Sequence, residues 1–283
     1  MKWVECPRDS WQGFARFIPT EEKVGYLLAL LEAGFHSLDI TSFVSPRWVP
    51  QHADAEAVLA ALPAPEGREY LAIIGNPKGL ERARQAAHLT TVGYPFSISD
   101  TFQRKNLNLG IEESWPVLEQ LISEAQGLRF VVYLSMAFGN PYGDAWIPDL
   151  TAAFVERLRQ LPGLSGIVLA DTYGVASSKT IAQTLEAVAQ AGGLDERLGL
   201  HLHSRPEQTL DKVQVALEFG VGWLEGALGG IGGCPFAGDD LVGNLATEQV
   251  LPYLAQQKHN PGVRLERLPE LSSQALLLRS KYA

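Results

Sequence analysis

Short apolar runs, rich in β-branched, aliphatic and aromatic residues, alternate with longer amphipathic segments along the whole chain. Glycine, proline or polar residues bound most of these runs, which is typical of β-strands. The pattern predicts eight strands, over residues 3–6, 37–43, 70–75, 90–97, 129–136, 165–172, 198–204 and 221–228.

The segments between these runs have the apolar periodicity of amphipathic helices. The first shows the clearest signals, because Thr20 is a suitable N-cap and Gly34 ends the apolar pattern. Its spacing predicts one buried face, made of Val24, Leu27, Leu28 and Leu31. Helices are predicted over residues 20–34, 53–62, 78–88, 112–125, 148–161, 177–192, 207–219 and 246–257.

Strands that alternate with helices pair in parallel, and eight such units can close on themselves. We therefore predict an α/β fold, the (β/α)₈ TIM barrel, as a single domain over residues 1–283 with C-terminal helices over about 246–283. The competing architecture is a doubly wound open sheet, which favours a glycine-rich phosphate loop after the first strand. The corresponding turn here reads CPRDSWQGF, which is not such a loop.

The composition and charge of the chain argue against nucleic acid and membranes as partners. The formal net charge of −9 argues against nucleic acid, because phosphate binding needs a basic surface. No apolar stretch approaches the roughly 20 residues that a membrane-spanning helix needs, and no signal peptide is expected. Cys6 and Cys234 are too few for a disulfide framework. These features predict a cytoplasmic protein without a membrane partner.

Two histidines one residue apart, His201 and His203, lie in the seventh predicted strand, LGLHLHS. Alternate residues of a strand point to the same side, so both imidazoles can face the barrel mouth. They are either hydrogen-bonded core histidines or metal ligands. Asp9 and Asn244 can reach the same point, because the first, seventh and eighth strands are neighbours in a closed barrel. Mixed imidazole and oxygen donors suit Mg²⁺ or Mn²⁺ and would also accept Zn²⁺ or Co²⁺.

Other ionisable residues stand at predicted strand ends, where (β/α)₈ barrels carry their chemistry. Arg8 is either a surface or interface arginine or a fork of donors for a carboxylate or a developing enolate. Asp39, in the second predicted strand, can pair with Arg8. Asp171, at the end of the sixth, can orient Arg8 or a ligand histidine.

A glycine-rich stretch, GGIGGCPFAGDDLVGN, follows the eighth predicted strand. Its glycines allow a mobile loop that acts as a lid, and no Lys-Ser/Thr follows them to make a phosphate-binding P-loop. Cys234 in this loop is interpreted as a proton carrier or nucleophile over the metal site. Cys6, inside the first strand, is expected to be a buried small hydrophobe.

Four stretches together resemble the 3-hydroxy-3-methylglutaryl-CoA lyases of the DRE-TIM metallolyase superfamily: CPRDSWQ, DITSFVSPRWVPQ, HLHS and GGIGGCPFA with GNLATE. The resemblance runs from about residue 4 to 257. It implies a TIM barrel that cleaves 3-hydroxy-3-methylglutaryl-CoA, an acyl-CoA, to acetyl-CoA and acetoacetate. It also implies Mg²⁺ or Mn²⁺, no organic cofactor, and a metal site formed by Asp9, His201, His203 and Asn244.

The same resemblance implies roles for other residues. Arg8 would stabilise the enolate of the acyl-CoA product, Asp39 stands where the family usually has glutamate, and Cys234 would take part in proton transfer from the lid. His201 would act in catalysis as well as in metal binding. The positions that would line the substrate pocket are Ser42, Lys105, Asn106, Tyr133, Asp171 and Thr172.

The chain also departs from the family pattern. Ser10 and Trp11 follow Arg8-Asp9 where the family has RDG, and they are expected to crowd the pocket. Residues 204–207 differ from the family, and the loop from Cys234 to Asn244 is one residue longer. These departures leave open a related metal-dependent aldolase or acyl-CoA condensing enzyme, acting on another 3-hydroxyacyl-CoA or a 2-oxo acid. A non-catalytic metal-bound barrel is a further alternative, and a homo-oligomer, a dimer, is expected.

Overall fold

The computed structural model describes residues 1–233 and 242–283. Eight parallel strands follow one another around a closed barrel, and β8 pairs with β1. The predicted (β/α)₈ barrel is therefore confirmed, with each strand within a few residues of its expected bounds. The strands are β1 Lys2–Glu5, β2 Ser37–Ser42, β3 Glu69–Ile73, β4 Thr91–Ser97, β5 Arg129–Ser135, β6 Leu164–Ala170, β7 Leu198–His201 and β8 Trp223–Gly226.

The helices of the described ranges include all eight that the periodicity predicts, together with three further ones. None of them is long and apolar enough to cross a membrane. They are α1 Pro7–Trp11, α2 Thr20–Glu32, α3 Ala55–Ala60, α4 Pro77–Gln85, α5 Asp100–Leu107, α6 Ile111–Glu124, α7 Pro148–Arg159, α8 Ser178–Gln190, α9 Thr209–Phe219, α10 Thr247–Gln256 and α11 Leu268–Tyr282.

Helices α1 and α5 have no counterpart among the bounds predicted from the sequence. Helix α1 is a single turn, too short for periodicity to reveal, and it starts at Pro7, whose fixed φ suits a first helical turn. Helix α5 starts after Ser99, whose Oγ accepts a hydrogen bond from the Phe102 amide at 3.2 Å. Helix α1 matters most here, because it carries Arg8 and Asp9 directly off the end of β1.

Helix α2 confirms the predicted buried face only in part. Leu27 and Leu31 are buried as expected, whereas Leu28 is 37% exposed. Lys23, Tyr26 and Leu30 are buried in addition. The reason is a polar one: the Lys23 ammonium donates to the Asp54 carboxylate at 2.7 Å and also to the Gln51 carbonyl. This paired cation turns toward the protein interior, and the apolar pattern alone could not have indicated it.

The inside of the barrel holds its own cluster of side chains, apart from the main core between strands and helices. Trp223, the first residue of β8, fills its amino end. A Cβ at Gly166 on β6 would lie only 2.7 Å from the Trp223 ring, so glycine there makes room for the indole. The inward-facing members are Val4, Cys6, Leu71, Val131, Tyr133, Val168 and Trp223.

Candidate active site at the carboxyl end of the barrel

Polar side chains from opposite ends of the sequence meet at the carboxyl end of the strands. Asp9 comes from α1, and His201 is the last residue of β7. His203 follows two residues later and forms an isolated antiparallel bridge with Asn244, which lies between β8 and α10. The closure of the barrel, which places β1 beside β8 and β8 beside β7, brings these residues together.

Asp9, His201 and His203 could hold one metal ion. Their candidate ligand atoms all lie within 4.8 Å of one another, and all three side chains are buried. Asn244 Nδ2 donates to Asp9 Oδ2 at 2.8 Å, so the amide belongs to the same cluster. The two imidazole centroids are 5.2 Å apart with the rings nearly perpendicular. The structure therefore brings all four predicted ligands to one place.

Two atoms of this cluster have unused binding capacity. His203 Nε2 and Asn244 Oδ1 are buried and have no hydrogen-bond partner among the residues that the structure describes. Leaving a buried polar atom unpaired costs about 1–3 kcal/mol, so native proteins rarely do so without a reason. Imidazole nitrogen and amide oxygen are both good donors to a divalent cation. The residues present therefore fit a metal ion better than they fit a hydrogen-bonded pair of core histidines.

The backbone of the glycine-rich segment packs closely against this cluster. Asn244 Nδ2 also donates to the Ile231 carbonyl at 2.8 Å. Gly232 has φ +121°, and a Cβ there would lie 2.8 Å from Asp9 Oδ2. Only glycine combines that backbone conformation with so close an approach. The segment thus fixes the Asn244 amide beside Asp9.

The charges of the cluster suit a cation. Burial alone would raise the pKa of Asp9, but the Arg8 guanidinium and the two imidazoles outweigh it and lower that pKa to about 2. Burial, with the neighbouring His201, lowers the pKa of His203 to about 4. Near neutral pH, Asp9 is therefore a carboxylate and His203 a neutral imidazole, which are the protonation states that metal binding requires.

Arg8 joins this cluster to Asp39. Its Nε and Nη2 both approach Asp39 Oδ2, at 2.9 and 2.6 Å, and its Nη1 lies 3.3 Å from Asp9 Oδ1. Burial raises the pKa of Asp39 to about 6 even though the Arg8 charge acts in the opposite direction. Asp39 Oδ1 is buried without a partner in the described part of the chain. The predicted Arg8–Asp39 pair is present, and it leaves one carboxylate oxygen unused.

Some residues at the site were not found from the sequence. Glu225 on β8 lies 3.0 Å from His201 Nδ1. Gln12 receives a hydrogen bond from Arg8 Nη1 at 3.0 Å and donates to Asp9 Oδ1 at 2.9 Å. His52 Nε2 contacts the Arg8 carbonyl at 3.2 Å. A carboxylate inside the apolar run VGWLEGAL was a usable signal for Glu225, the same signal that indicated Asp39.

Three predicted pocket residues form hydrogen bonds to backbone groups at the ends of their own or neighbouring strands. They are Asp171, Thr172 and Ser42. The Asp171 carboxylate accepts hydrogen bonds from the Val175 and Ala176 amides, at 2.9 and 3.1 Å, and so holds the turn after β6. Thr172 Oγ1 accepts from the Met136 amide at 3.0 Å. Ser42 Oγ donates to the Ile73 carbonyl at 3.3 Å. Asp171 is expected from the sequence to orient Arg8 or a ligand histidine. The Arg8 guanidinium is held instead by Asp39, Asp9 and Gln12, and Asp171 forms no hydrogen bond with it in the described part of the chain.

The remaining pocket residues divide into two groups. Tyr133 lies beside the cluster, with its ring edge-on to His201 at 6.4 Å between centroids. Lys105 and Asn106 are exposed on α5, where the Lys105 ammonium is 4.4 Å from the centre of the Tyr142 ring. Their part in substrate binding stays a prediction. Cys234 lies outside the described residues, so its proposed chemistry and the mobility of its loop also stay predictions.

The expectation that Trp11 crowds the pocket is wrong. Its indole is buried in the main core, where it meets the Tyr26 ring edge-on at 5.9 Å between centroids. Ser10 Oγ donates toward the Cys6 and Ile231 carbonyls, each at 3.2 Å. The helical turn of α1 explains the difference, because it points Arg8 and Asp9 inward and carries Trp11 away toward α2. Ser10 ties α1 to the glycine-rich segment.

Comparisons with known proteins agree with this geometry. A family model described as HMGL-like matches residues 1–274. The chain is 34% identical to the cytoplasmic 3-hydroxy-3-methylglutaryl-CoA lyase of Rattus norvegicus over 273 residues, which is 95% of this chain and 78% of the relative. The crystal structure of the HMG-CoA lyase from Brucella melitensis superposes with a TM-score of 0.91 at 34% identity, covering 99% of this chain and 98% of the other.

A similar structure is that of an HMG-CoA lyase from Acinetobacter baumannii, described as a complex with coenzyme A and 3-methylmalate. It has a TM-score of 0.90 at 28% identity and covers 99% of this chain and 91% of the other. A putative aldolase domain from Bacteroides vulgatus matches at only 14% identity with a TM-score of 0.70, which shows the shared fold alone.

Proposed function

The chain belongs to the HMGL-like family, and from that premise we propose that it is a divalent-metal-dependent carbon–carbon lyase that cleaves 3-hydroxy-3-methylglutaryl-CoA to acetyl-CoA and acetoacetate. The observation that carries this proposal is the buried cluster of Asp9, His201, His203 and Asn244 beside Arg8. That cluster contains two buried atoms, His203 Nε2 and Asn244 Oδ1, without a hydrogen-bond partner in residues 1–233 and 242–283. Relatives named as HMG-CoA lyases match almost the whole chain.

We propose Mg²⁺ or Mn²⁺ as the ion, because carboxylate, amide and imidazole donors without a thiolate suit these harder cations. Asp9, His201, His203 and Asn244 would hold it. The bound ion supplies positive charge that makes the tertiary hydroxyl of the substrate more acidic. The remaining chemistry falls to side chains of the chain itself.

The cleavage removes the hydroxyl proton, breaks the carbon–carbon bond and leaves its electron pair on the acyl-CoA fragment as an enolate. Arg8 is positioned to stabilise that negative charge, because Asp39 and Gln12 fix its guanidinium beside Asp9. Asp39 Oδ1 has no partner in the described residues, and burial raises the pKa of Asp39 to about 6, so this oxygen can accept a proton near neutral pH. A proton returned to the enolate carbon, in our prediction from Cys234, completes acetyl-CoA.

Three further features belong to the proposal. The substrate is an acyl-CoA, supported by the relative described as a complex with coenzyme A. The protein acts as a homo-oligomer, a dimer, in the cytoplasm. Residues 1–283 form one domain, and the family match over residues 1–274 supports that extent.

The direct test supplies 3-hydroxy-3-methylglutaryl-CoA to protein stripped with EDTA, before and after Mg²⁺ or Mn²⁺ is restored. We expect equal amounts of acetoacetate and acetyl-CoA only with the cation present. Arg8→Met is expected to lower turnover 10²-fold or more with little change in metal affinity. Arg157→Met, at an exposed position on α7, is the matched control and should retain activity.

Failure to form either product with both cations would contradict the proposed substrate. Cleavage of another 3-hydroxyacyl-CoA or of a 2-oxo acid under the same conditions would then favour the related aldolase. Condensation of acetyl-CoA with a 2-oxo acid would favour the condensing enzyme instead. Binding of the cation without turnover of any of these compounds would favour a non-catalytic barrel.

A further inference from the structure

Glu225 stands directly beside a predicted metal ligand inside the barrel. It is the third residue of β8 and is 1% exposed, and the register between β7 and β8 pairs its Cα with that of His201. Its Oε2 lies 3.0 Å from His201 Nδ1. We propose that Glu225 is a positioning residue that fixes the tautomer and ring orientation of His201 for metal binding. This inference rests on the metal site in the proposed function.

The other oxygen of Glu225 is fixed as well. Its Oε1 accepts hydrogen bonds from Trp223 Nε1 at 3.0 Å and from the Tyr133 hydroxyl at 3.2 Å. Both donors belong to the inward-facing cluster, where packing limits their movement. The carboxylate therefore cannot rotate without breaking these two bonds, and Oε2 stays directed at the imidazole.

This arrangement decides which nitrogen of His201 is available to a cation. A carboxylate can only accept, so His201 Nδ1 must carry the proton and donate it. The lone pair is then on Nε2, the one nitrogen left to join the candidate ligand atoms of Asp9 and His203. Histidine ligands are commonly oriented in this way by a carboxylate on the opposite ring nitrogen, which also makes the imidazole a stronger donor.

A second reading of the same residues is a separate metal site formed by Cys6, His201 and Glu225, whose ligand atoms also lie within 4.8 Å of one another. Two observations argue against it. Cys6 Sγ already has hydrogen-bond acceptors, the Val4 carbonyl at 3.6 Å and Glu225 Oε2 at 4.0 Å. Glu225 is already occupied by His201, Trp223 and Tyr133. The cluster is better explained as support for the ion at Asp9.

The adjacent strand offers a matched control. Glu5 on β1 pairs in register with Gly226, the neighbour of Glu225, and it too is 1% exposed. Its carboxylate accepts from the Leu228 amide at 2.7 Å, the Thr247 hydroxyl at 2.6 Å and the Trp3 indole at 3.2 Å. None of these partners is a predicted metal ligand. Glu5 therefore represents a buried, paired carboxylate with a purely structural role.

The experiment measures Mn²⁺ affinity by calorimetry, and the visible spectrum with Co²⁺ substituted, for the wild type, Glu225→Gln and Glu5→Gln. We expect Glu225→Gln to weaken Mn²⁺ binding about 10- to 100-fold and to alter the Co²⁺ spectrum. Glu5→Gln should bind Mn²⁺ within about twofold of the wild type. Neither readout needs substrate, so a wild type that binds Mn²⁺ but cleaves nothing would refute the lyase assignment and leave this inference intact.

Equal Mn²⁺ affinities in the three proteins would overturn the inference, and so would a wild type that binds no divalent cation. If Glu225→Gln does not fold, Tyr133→Phe decides the matter, because it removes one bond to Oε1 and keeps the carboxylate. We expect a severalfold loss of Mn²⁺ affinity in that variant. Unchanged affinity and an unchanged Co²⁺ spectrum there would also overturn the inference.

Discussion

The two ends of the barrel treat their buried polar groups differently. At the amino end, the Glu69 carboxylate that opens β3 has donors on both oxygens: Lys2 at 2.9 Å on one, and Arg129 at 2.7 Å with Thr91 at 2.9 Å on the other. Lys2 and Arg129 are partly exposed, so the cluster is paired and also reaches water. At the carboxyl end, three buried polar atoms remain without hydrogen-bond partners in the described residues: Asp39 Oδ1, His203 Nε2 and Asn244 Oδ1.

The difference indicates which end of the barrel binds a ligand and which end contributes stability. Each unpaired buried atom costs about 1–3 kcal/mol, so an end that carries three of them lowers the stability of the empty protein. Unpaired buried polar atoms are expected at a functional site, where a bound ligand and not the protein itself completes their interactions. In (β/α)₈ barrels the carboxyl end carries the chemistry and the amino end carries stability. The contrast is open to direct test.

The largest effect on cation binding is expected when a buried histidine of the site is replaced. Its control is a second buried histidine whose ring nitrogen is hydrogen-bonded. His203 Nε2 has no hydrogen-bond partner within the part of the chain that the structure describes, whereas His52 Nε2 is bonded to the Arg8 carbonyl at 3.2 Å. Replacing His203 by leucine removes an unsatisfied atom, so the free energy of unfolding of the metal-free protein should not fall. Cation binding should weaken at least 100-fold, and cleavage should slow about 1,000-fold.

His52→Leu is the control for this prediction. It should destabilise the metal-free protein by about 1 kcal/mol, because the buried Arg8 carbonyl loses this hydrogen bond and keeps only the one from the Gln12 amide at 3.2 Å. Its Mn²⁺ affinity should remain close to that of the wild type. Chemical denaturation and calorimetry measure both quantities. If the two variants lose the same stability and both retain the cation, the contrast between the ends of the barrel is wrong.

Two kinds of feature at the site could be predicted from the sequence: those set by the spacing within one strand, and those set by the order of strands around the barrel. The spacing of His201 and His203 puts both on one face of a strand, and a barrel of known order brings Asp9 and Asn244 near them. The pair of Glu225 and His201 could not be obtained in that way. The two residues are 24 positions apart, and their contact depends on the register between β7 and β8.

Local helix geometry explains the other misses. Gln12 bonds to Arg8 because they are four residues apart across the single turn of α1, which periodicity did not reveal. The same turn carries Trp11 into the main core instead of into the pocket. On α2 the buried Lys23 ammonium, paired with Asp54, shifts the buried face away from Leu28. For α2, the buried face depends on Asp54, which is 31 positions away from Lys23 in the sequence.

Glu5 lies near the carboxyl end, at the last residue of β1, yet both of its oxygens accept hydrogen bonds. Burial raises the pKa of Glu5 to about 7, from an ordinary value of 4.5. Between these pH values the unfolded chain loses the proton and the folded protein keeps it. The stability contributed by this group is therefore complete below about pH 4.5 and is lost as the pH rises to about 7.

The corresponding variant is Glu5→Gln, which cannot titrate. Relative to the wild type, its free energy of unfolding should rise by on the order of 3 kcal/mol between pH 5 and pH 8. Urea denaturation of both proteins at the two pH values measures this difference, and other titrating groups cancel in it. A difference that does not change with pH would mean that burial of Glu5 has no energetic consequence for its proton.

The smallest effect is expected at the amino end, from Glu69→Gln. The amide keeps the shape of the carboxylate but loses the charge that pairs with Lys2 and Arg129. Because the Lys2 and Arg129 side chains are 38% and 54% exposed, water can replace much of what is lost. The free energy of unfolding should therefore fall by only about 2 kcal/mol. Mn²⁺ affinity and the rate of cleavage should stay unchanged, since no bond of Glu69 reaches the site. A change in either, with stability intact, would show that the two ends of the barrel are coupled through its interior and would refute their division of roles.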